Sequence, residues 1–207
     1  MEHSWKAECR SNDELIYTLR SYGLVKSKRV EAAMRAVDRG HYSTDPDQAY
    51  CDRPHGIGCS QTISAPHMHA MCLELLLDHA VPGAKVLDVG SGSGYLTAIP
   101  ELVEWGTNNI RKDSPQLLEK RVVEIRNVDG WEGVKDEAPF DAIHVGAAAA
   151  TLPQPLVDQL RPGGRLIIPV GRDDQELLQV DKQADGSIVQ QRVLGVRYVP
   201  LVPGLAQ

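Results

Sequence analysis

KVLDVGSGSG, residues Lys85–Gly94, is the stretch that decides the fold, because it joins a short strand to a glycine-rich loop. Val86, Leu87 and Val89 favour extended structure, and Pro82-Gly83 bounds them upstream. An apolar run of this length between turn residues is typical of a parallel strand that is buried on both faces. The stretch therefore predicts a buried parallel strand that opens directly into a ligand-binding turn.

Three glycines, Gly90, Gly92 and Gly94, let the loop turn tightly and let its backbone approach a ligand closely. Their spacing is G-x-G-x-G, whereas a dinucleotide fingerprint is G-x-G-x-x-G and a P-loop needs Gly-Lys-Ser/Thr. The loop has no lysine, and Asp88 stands near the end of the strand. This combination favours S-adenosylmethionine, a nucleoside without a phosphate chain, over NAD or ATP. The alternative at this point is a glycine-rich turn that binds nothing.

Composition limits the classes of partner. The chain has 207 residues, of which 42% are hydrophobic and 24% charged, which is enough for one domain with an appendage. A net charge of −6 argues against nucleic acid or an anionic membrane as partner. No stretch approaches the roughly 18 apolar residues of a membrane span. We therefore expect a cytoplasmic protein.

The four cysteines do not form a recognisable metal motif, since no C-x-x-C pair is present. A zinc site built from Cys51, Cys59, His67 and His69 has enough ligands but the wrong spacing. We expect reduced, partly buried thiols and no metal.

The first 63 residues predict two helices and a long loop. A capping-box pattern at Ser11 begins the first helix, and the second helix begins near Ser27. Residues 41–63 are interrupted by prolines and glycines, and loops of this length in a compact domain are usually functional or mobile. Pro66 then suits the first turn of a third helix, so the Ser64 hydroxyl is predicted to act as its cap.

After the glycine loop, helices and strands alternate and the chain ends in a hairpin. This order predicts an α/β, doubly wound, mostly parallel sheet with an antiparallel C-terminal hairpin. The predicted elements are a helix over 100–111, strands over 121–126 (RVVEIR), 140–145 and 165–170, a short helix over 153–160, and hairpin strands over 176–181 and 188–201 around Asp185-Gly186.

Five segments resemble the protein-L-isoaspartate O-methyltransferase family in its animal form. They cover nearly the whole chain and extend well beyond the generic methyltransferase loop. The segments are QTISAPHMHA (61–70), VLDVGSGSG (86–94), NNIRKD (108–113), APFDAIHVGAAA (138–149) and LRPGGRLIIPVG (160–171). The resemblance implies a Rossmann-like, class I S-adenosylmethionine-dependent fold over residues 64–207, after an N-terminal helical appendage and active-site loop over 1–63.

The same resemblance implies repair of damaged proteins by a monomeric enzyme. The family methylates the α-carboxylate of L-isoaspartyl residues, and the ester closes to a succinimide that can reopen as normal aspartate. A carboxylate is already ionised at pH 7 and can attack the sulfonium methyl in line, so neither a general base nor a metal is required. Isoaspartyl-containing proteins and peptides are therefore the expected partners.

Site residues are implied by the resemblance position by position. Ser64 is the catalytic hydroxyl beside the acceptor carboxylate, a role that is compatible with capping. The residues implied to bind the cofactor are Gln61, Thr62, Ile63, Ser64 and His69 along the pocket, Asp88, Gly90 and Gly92 at the methionine end, and Asp129 and Gly130 near the adenine. Gln207 falls where relatives have a pocket glutamine, whereas Val202 stands where relatives have a threonine at the cofactor.

The largest departure from the family lies after Ala98. Relatives have a second strand there, whose acidic residue, roughly 20 positions past the glycines, binds the ribose. Here Ala98 runs directly into Ile99, and about 17 residues are missing by comparison with the family. Glu101 or Glu104 could replace the ribose ligand, but at a predicted helix start solvated carboxylates are expected. We therefore predict a sheet without its second strand.

Three hypotheses about the function can be compared on these observations. The leading hypothesis is a protein-isoaspartate methyltransferase whose internal deletion weakens its activity. The alternative is a catalytically impaired splice form or deletion variant that acts as a non-catalytic peptide-binding protein. A nicotinamide-dependent reductase on a similar sheet is disfavoured, because the loop spacing is wrong and no acidic residue follows a second strand.

Overall fold

A computed structural model describes residues 9–58, 61–90, 92–93, 95, 108–120 and 122–202. The chain forms two compact units. The first contains the described residues within 1–74, 92–95 and 100–125, and the second those within 75–91, 96–99 and 126–207. The glycine loop passes from the second unit to the first. None of the helices in the described part of the chain is both long and apolar enough to cross a membrane.

Short helices and one hairpin make up the first unit. Ser11 caps the first helix as predicted, since its Oγ accepts the Glu14 N–H at 3.2 Å. The loop predicted over 41–63 contains a pair of antiparallel strands, since His55–Gly58 pair with Gln61–Ile63. The elements are α1 (Asn12–Ser21), α2 (Lys28–Ala36), β1 (His55–Gly58), β2 (Gln61–Ile63), α3 (Pro66–Leu76, ending in the second unit), α4 (108–113) and α5 (Pro115–Glu119).

A five-stranded sheet forms the second unit. Its order is β3-β4-β5-β6-β7, with parallel pairing from β3 to β5 and antiparallel pairing from β5 to β7. The structure thus confirms the predicted parallel sheet with an antiparallel C-terminal hairpin. The elements are β3 (Val86–Val89), β4 (Phe140–Val145), α6 (Gln154–Asp158), β5 (Leu160–Val170), β6 (Gln175–Lys182) and β7 (Ile188–Val196).

The prediction of a strand over 121–126 is wrong. Residues 122–127 are irregular, and Val122 is exposed. Alternating apolar residues form a strand only when a neighbouring strand completes the ladder of backbone hydrogen bonds, and 122–127 pair with no strand of the described chain. Arg126 instead forms ion pairs with Asp136 at 2.6 Å and Glu137 at 3.0 Å.

Strand β3 lies at the edge of the described sheet. Among the described residues it pairs only with β4, so no second strand lies beside it there. Its first residue, Val86, is 47% exposed, whereas the sequence predicted a strand buried on both faces. The missing neighbour explains the difference, because a strand without a partner on one side is open to solvent there. Most of the helix predicted over 100–111 lies outside the described residues; 108–113 are helical.

Stability is expected to fall below about pH 6.5, because the buried His55 and the partly buried His79 must remain neutral. Burial, with the nearby charge of Arg39, lowers the pKa of His55, and burial with the charge of Arg165 lowers that of His79. The unfolded chain therefore binds more protons than the folded chain as the pH falls from the ordinary value, about 6.5, towards the lowered values. Urea unfolding at pH 7.0 and 5.5 measures the loss.

Replacement of either histidine separates the two contributions. We expect His55→Gln and His79→Gln each to reduce the difference in unfolding free energy between the two pH values. Stability that stays constant or rises as the pH falls from 7.0 to 5.5 would contradict the assignment.

Candidate active site

Ser64 lies two residues before Pro66, the first residue of the helix α3 that it was predicted to cap. The first carbonyl of the helix is that of Ala65, which accepts the N–H groups of Met68 at 3.0 Å and His69 at 3.3 Å. The cap is a carboxylate instead, since Asp52 Oδ1 accepts the backbone N–H and the ring Nδ1–H of His67, both at 2.9 Å. No hydrogen bond between described residues uses the Ser64 hydroxyl.

The capping carboxylate could not be read from the local sequence. Asp52 comes from the segment before β1, and its side chain is almost completely buried. A negative charge at a helix N-terminus is stabilised by the unpaired N–H groups and the helix dipole. Asp52 therefore fixes the start of α3 and leaves the Ser64 hydroxyl available to a ligand.

Arg39 is the second residue of this site that sequence reasoning missed. Its side chain is fully buried, and its Nη2 donates to the Ser64 carbonyl at 2.8 Å. Nη1 lies 3.2 Å from His69 Nδ1, and Nε donates to the Ala49 carbonyl at 3.0 Å. Burial lowers the pKa of Arg39 to about 10, so the guanidinium remains a cation at pH 7. Arg39 lies at the predicted end of the second helix, before the loop predicted over 41–63, and an arginine there carries no sequence signal of burial.

An aromatic cluster surrounds His69 and Arg39. The Tyr95 ring lies edge-on to His69, with centroids 4.8 Å apart, and the Arg39 guanidinium carbon is 5.6 Å from the Tyr95 centroid. Tyr42 contacts Tyr95 and donates its hydroxyl to Asp113 at 2.9 Å. His69 is therefore buried between a guanidinium group and an aromatic ring.

The predicted pocket residues Gln61, Thr62 and Ile63 form strand β2, which leads directly into Ser64. Thr62 is exposed, whereas Ile63 is buried in the core. Gly92 is close to this strand, because a Cβ atom built on it would lie 3.8 Å from the Thr62 carbonyl oxygen and 2.9 Å from Ile57 Cδ1. The structure therefore brings Gly92 and Thr62 together. Gly94 lies outside the described residues.

In the second unit, Asp88 and His144 lie opposite each other on neighbouring parallel strands. His144 Nδ1 is 2.7 Å from Asp88 Oδ1, and the Asp88 side chain is partly exposed. The strands approach closely just beyond this pair, since a Cβ on Gly146 would lie 2.6 Å from the Gly90 carbonyl oxygen. Gly90 itself has a φ of +79°, which favours glycine. A polar pair thus stands at the carboxyl ends of the strands, where ligands bind to α/β sheets.

Asp129 and Gly130 form a turn that packs against the end of β3. Asp129 Oδ1 accepts the Trp131 N–H at 2.9 Å, which closes the turn. A Cβ on Gly130 would lie 2.7 Å from Val89 Cγ1 and 3.1 Å from Leu201 Cδ1. The structure therefore brings this turn next to the strand that carries Asp88.

We expect Gly130→Ala to destabilise the protein by about 1–3 kcal/mol, because the added methyl group overpacks the contact with Val89. Urea unfolding monitored by far-UV circular dichroism measures the change. Gly56→Ala is the matched control, since a Cβ there meets no atom within 4 Å. Equal stability of the two variants would contradict the packing argument.

Several residues predicted from the sequence belong to neither set of contacts described above, that around Ser64 or that around Asp88. Val202 is 64% exposed, and Gln207, Glu101 and Glu104 lie outside the described residues. Cys59, one of the four zinc candidates, also lies outside them. The described part of the chain holds no cluster of three or more potential metal ligands.

Several known proteins similar to this chain share one description. The family model for protein-L-isoaspartate(D-aspartate) O-methyltransferase matches residues 10–206. The enzyme named protein-L-isoaspartate O-methyltransferase 1 from Arabidopsis thaliana is 46% identical over 100% of this chain and 98% of its own length. The enzyme of the same description from Caenorhabditis elegans is 44% identical over 96% of this chain and 95% of its own. Plant and nematode relatives are equally similar, so these matches indicate the family rather than its animal form.

Solved structures agree with the sequence relatives. A Plasmodium falciparum protein described as a protein-L-isoaspartate O-methyltransferase, in complex with S-adenosyl-L-homocysteine, has a TM-score of 0.84 and 34% identity. The match covers 93% of this chain and 98% of the other. A second structure of the same description has a TM-score of 0.73 at 21% identity, which supports the fold alone.

The Arabidopsis relative is longer than this chain inside the matched region. All 207 residues are matched over 226 positions, so at least 19 positions of the relative have no counterpart here. This number agrees with the deletion of about 17 residues that the sequence predicted. Its placement after Ala98 remains a prediction from the sequence.

Proposed function

The chain belongs to the protein-L-isoaspartate(D-aspartate) O-methyltransferase family, and from this premise we propose that Ser64 and Asp88 carry its reaction. The reaction is methyl transfer from S-adenosylmethionine to the α-carboxylate of L-isoaspartyl residues in damaged proteins. The observation that supports Ser64 most directly is its free hydroxyl at the start of α3, where Asp52 takes over the capping role.

The acceptor needs orientation rather than activation. Its carboxylate is ionised at pH 7, so one oxygen can attack the methyl carbon while the carbon–sulfur bond breaks, with no proton to transfer. When bound, the cofactor supplies the electrophilic methyl group and is released as S-adenosylhomocysteine. The Ser64 hydroxyl donates a hydrogen bond to the acceptor carboxylate and holds it in line for attack.

Asp88 fits the cofactor by its chemistry. His144 engages one carboxylate oxygen, and the partly exposed side chain leaves the other oxygen free to accept from the cofactor's ammonium group. The close backbone approach at Gly90, and the turn at Asp129 and Gly130 packed on the same strand, support this assignment. The cofactor roles of Gln61, Thr62, Ile63, His69 and Gly92 remain predictions from the resemblance.

The decisive experiment is radiolabelled methyl transfer from S-adenosylmethionine to an isoaspartyl peptide, with the aspartyl peptide of the same sequence as control. We expect label in the isoaspartyl peptide alone. Equal labelling of both peptides would overturn the assignment. Calorimetric titration with S-adenosylhomocysteine distinguishes the proposed enzyme from the non-catalytic alternative. The alternative predicts peptide binding without saturable binding of this product.

The proposal includes a monomer that acts in the cytoplasm. Light scattering of the purified chain tests the first part, and cell fractionation with an antibody against the chain tests the second. A stable dimer in solution would contradict the monomer without affecting the assigned reaction.

A further inference from the structure

We propose that Arg39 is a positioning residue for the acceptor site: it holds the Ser64 backbone and fixes the protonation of His69, so that the Ser64 hydroxyl keeps one orientation. This inference rests on the role of Ser64 proposed above. It concerns a residue that no sequence pattern singled out.

The cost of burying Arg39 suggests a role beyond stability. Its side chain is fully buried, yet its hydrogen-bond partners are two carbonyl oxygens and one imidazole nitrogen, all without a formal charge. No carboxylate of the described chain forms a hydrogen bond with it. An apolar side chain of similar volume often stabilises a core as well as a buried charge does. The charge and its donors are therefore retained for the geometry that they impose.

That geometry follows from the rigid guanidinium group. Its N–H donors lie in one plane in a fixed fork, and Nη1 and Nη2 are used by His69 and Ser64 respectively. The spacing between the Ser64 carbonyl and the His69 ring is thus set by a rigid group rather than by flexible side chains. Nε is held in turn by Ala49, which anchors the guanidinium itself.

The contact with His69 also fixes the tautomer. Arginine has only donors, so His69 Nδ1 must accept and cannot carry a proton. The neutral ring then carries its proton on Nε2.

Arg39 and Asp52 act on opposite sides of Ser64. Asp52 fixes the first turn of α3, and Arg39 holds the carbonyl of Ser64 immediately before that turn. The backbone of Ser64 is therefore held from both sides while its hydroxyl bonds to no described residue. This is the arrangement required of a group that must meet a ligand without rearrangement.

A double-mutant cycle between Arg39 and Ser64 tests the coupling. We expect Arg39→Met to lower kcat/KM for the isoaspartyl peptide about tenfold or more, but less than about twofold when Ser64 is already alanine. Arg39→Lys should lie between, since a lysine keeps the charge and the donors but lacks the rigid, planar fork that sets the spacing of the partners. Equal, additive losses in both backgrounds would overturn the proposal, whereas a Ser64→Ala variant with full activity would overturn the role of Ser64 itself.

Arg165 provides the matched control. It is also largely buried and also donates to a backbone carbonyl of α3, that of Leu75, at 2.8 Å, but near the other end of the helix. We expect Arg165→Met to lower stability without changing the coupling between Arg39 and Ser64. A change in kcat/KM as large as that of Arg39→Met would show that any arginine supporting α3 has the same effect, and would overturn the proposal.

The protonation of His69 can be measured without turnover. Nitrogen-15 NMR of histidine-labelled protein should show His69 in the wild type with Nδ1 unprotonated and Nε2 protonated, and a mixture of tautomers in Arg39→Lys. A wild-type His69 that is protonated at Nδ1 would overturn the proposal even if the chain shows no methyl transfer or the methionine variant does not fold.

Discussion

Ser64→Ala is expected to lower kcat/KM for an isoaspartyl peptide by about 10–100-fold, the effect of losing one hydrogen bond to a charged group. Stability should change little, because Asp52 rather than Ser64 caps α3. The loss of activity and the preserved stability must occur together if the hydroxyl serves the acceptor. Methyl-transfer kinetics and urea unfolding of the same preparation measure both.

Ser27→Ala is the matched control for this substitution. Ser27 caps α2, since its Oγ accepts the Val30 N–H at 3.0 Å. Its replacement should cost about 1 kcal/mol of stability and leave the kinetics unchanged, which is the opposite of the pattern expected for Ser64. A Ser64→Ala variant that loses stability but retains its kinetic constants would show that the hydroxyl is structural.

Asp88→Asn should weaken the binding of S-adenosylhomocysteine by about 10–100-fold if, as proposed, the Asp88 carboxylate accepts from the ligand's ammonium group, because the substitution removes that negative charge. The amide oxygen of asparagine can still accept from His144 Nδ1–H, so the contact between β3 and β4 should survive. Calorimetric titration measures the affinity, and the enthalpy should become less favourable.

Asp185→Asn, in the exposed turn between β6 and β7, is the control for a general loss of negative charge. We expect it to bind the product as the wild type does. Unchanged affinity in Asp88→Asn would remove Asp88 from the cofactor site. Equal weakening in both variants would point to net charge rather than to a specific contact.

Local sequence signals predicted the elements that depend on local interactions. The capping box at Ser11, the proline at the first position of α3 and the Asp185-Gly186 turn each specify a structure within a few residues, and each is confirmed. Strand β4 was equally readable, because four of its six residues are apolar, and the structure buries all six.

Signals that depend on a distant partner were less reliable. Residues 121–126 alternate like a strand, yet those that are described remain irregular without a neighbouring strand. Val86 looked like a core residue and is half exposed, since burial at a sheet edge depends on what lies beside it. Strand propensity is thus a condition for pairing and does not ensure it.

The sequence by itself determined the family and the parallel sheet with its antiparallel hairpin, and it predicted the ligand of the glycine loop and a shortening of the chain after Ala98. These features depend on motifs whose residues are adjacent or nearly so. Only the tertiary structure decided that Asp52 caps α3, that Arg39 is buried beneath Ser64, and that β3 lies at the edge of the described sheet. The physical reason is that a hydrogen bond or a buried charge is set by groups brought together from distant parts of the chain, and no local pattern records which groups will meet.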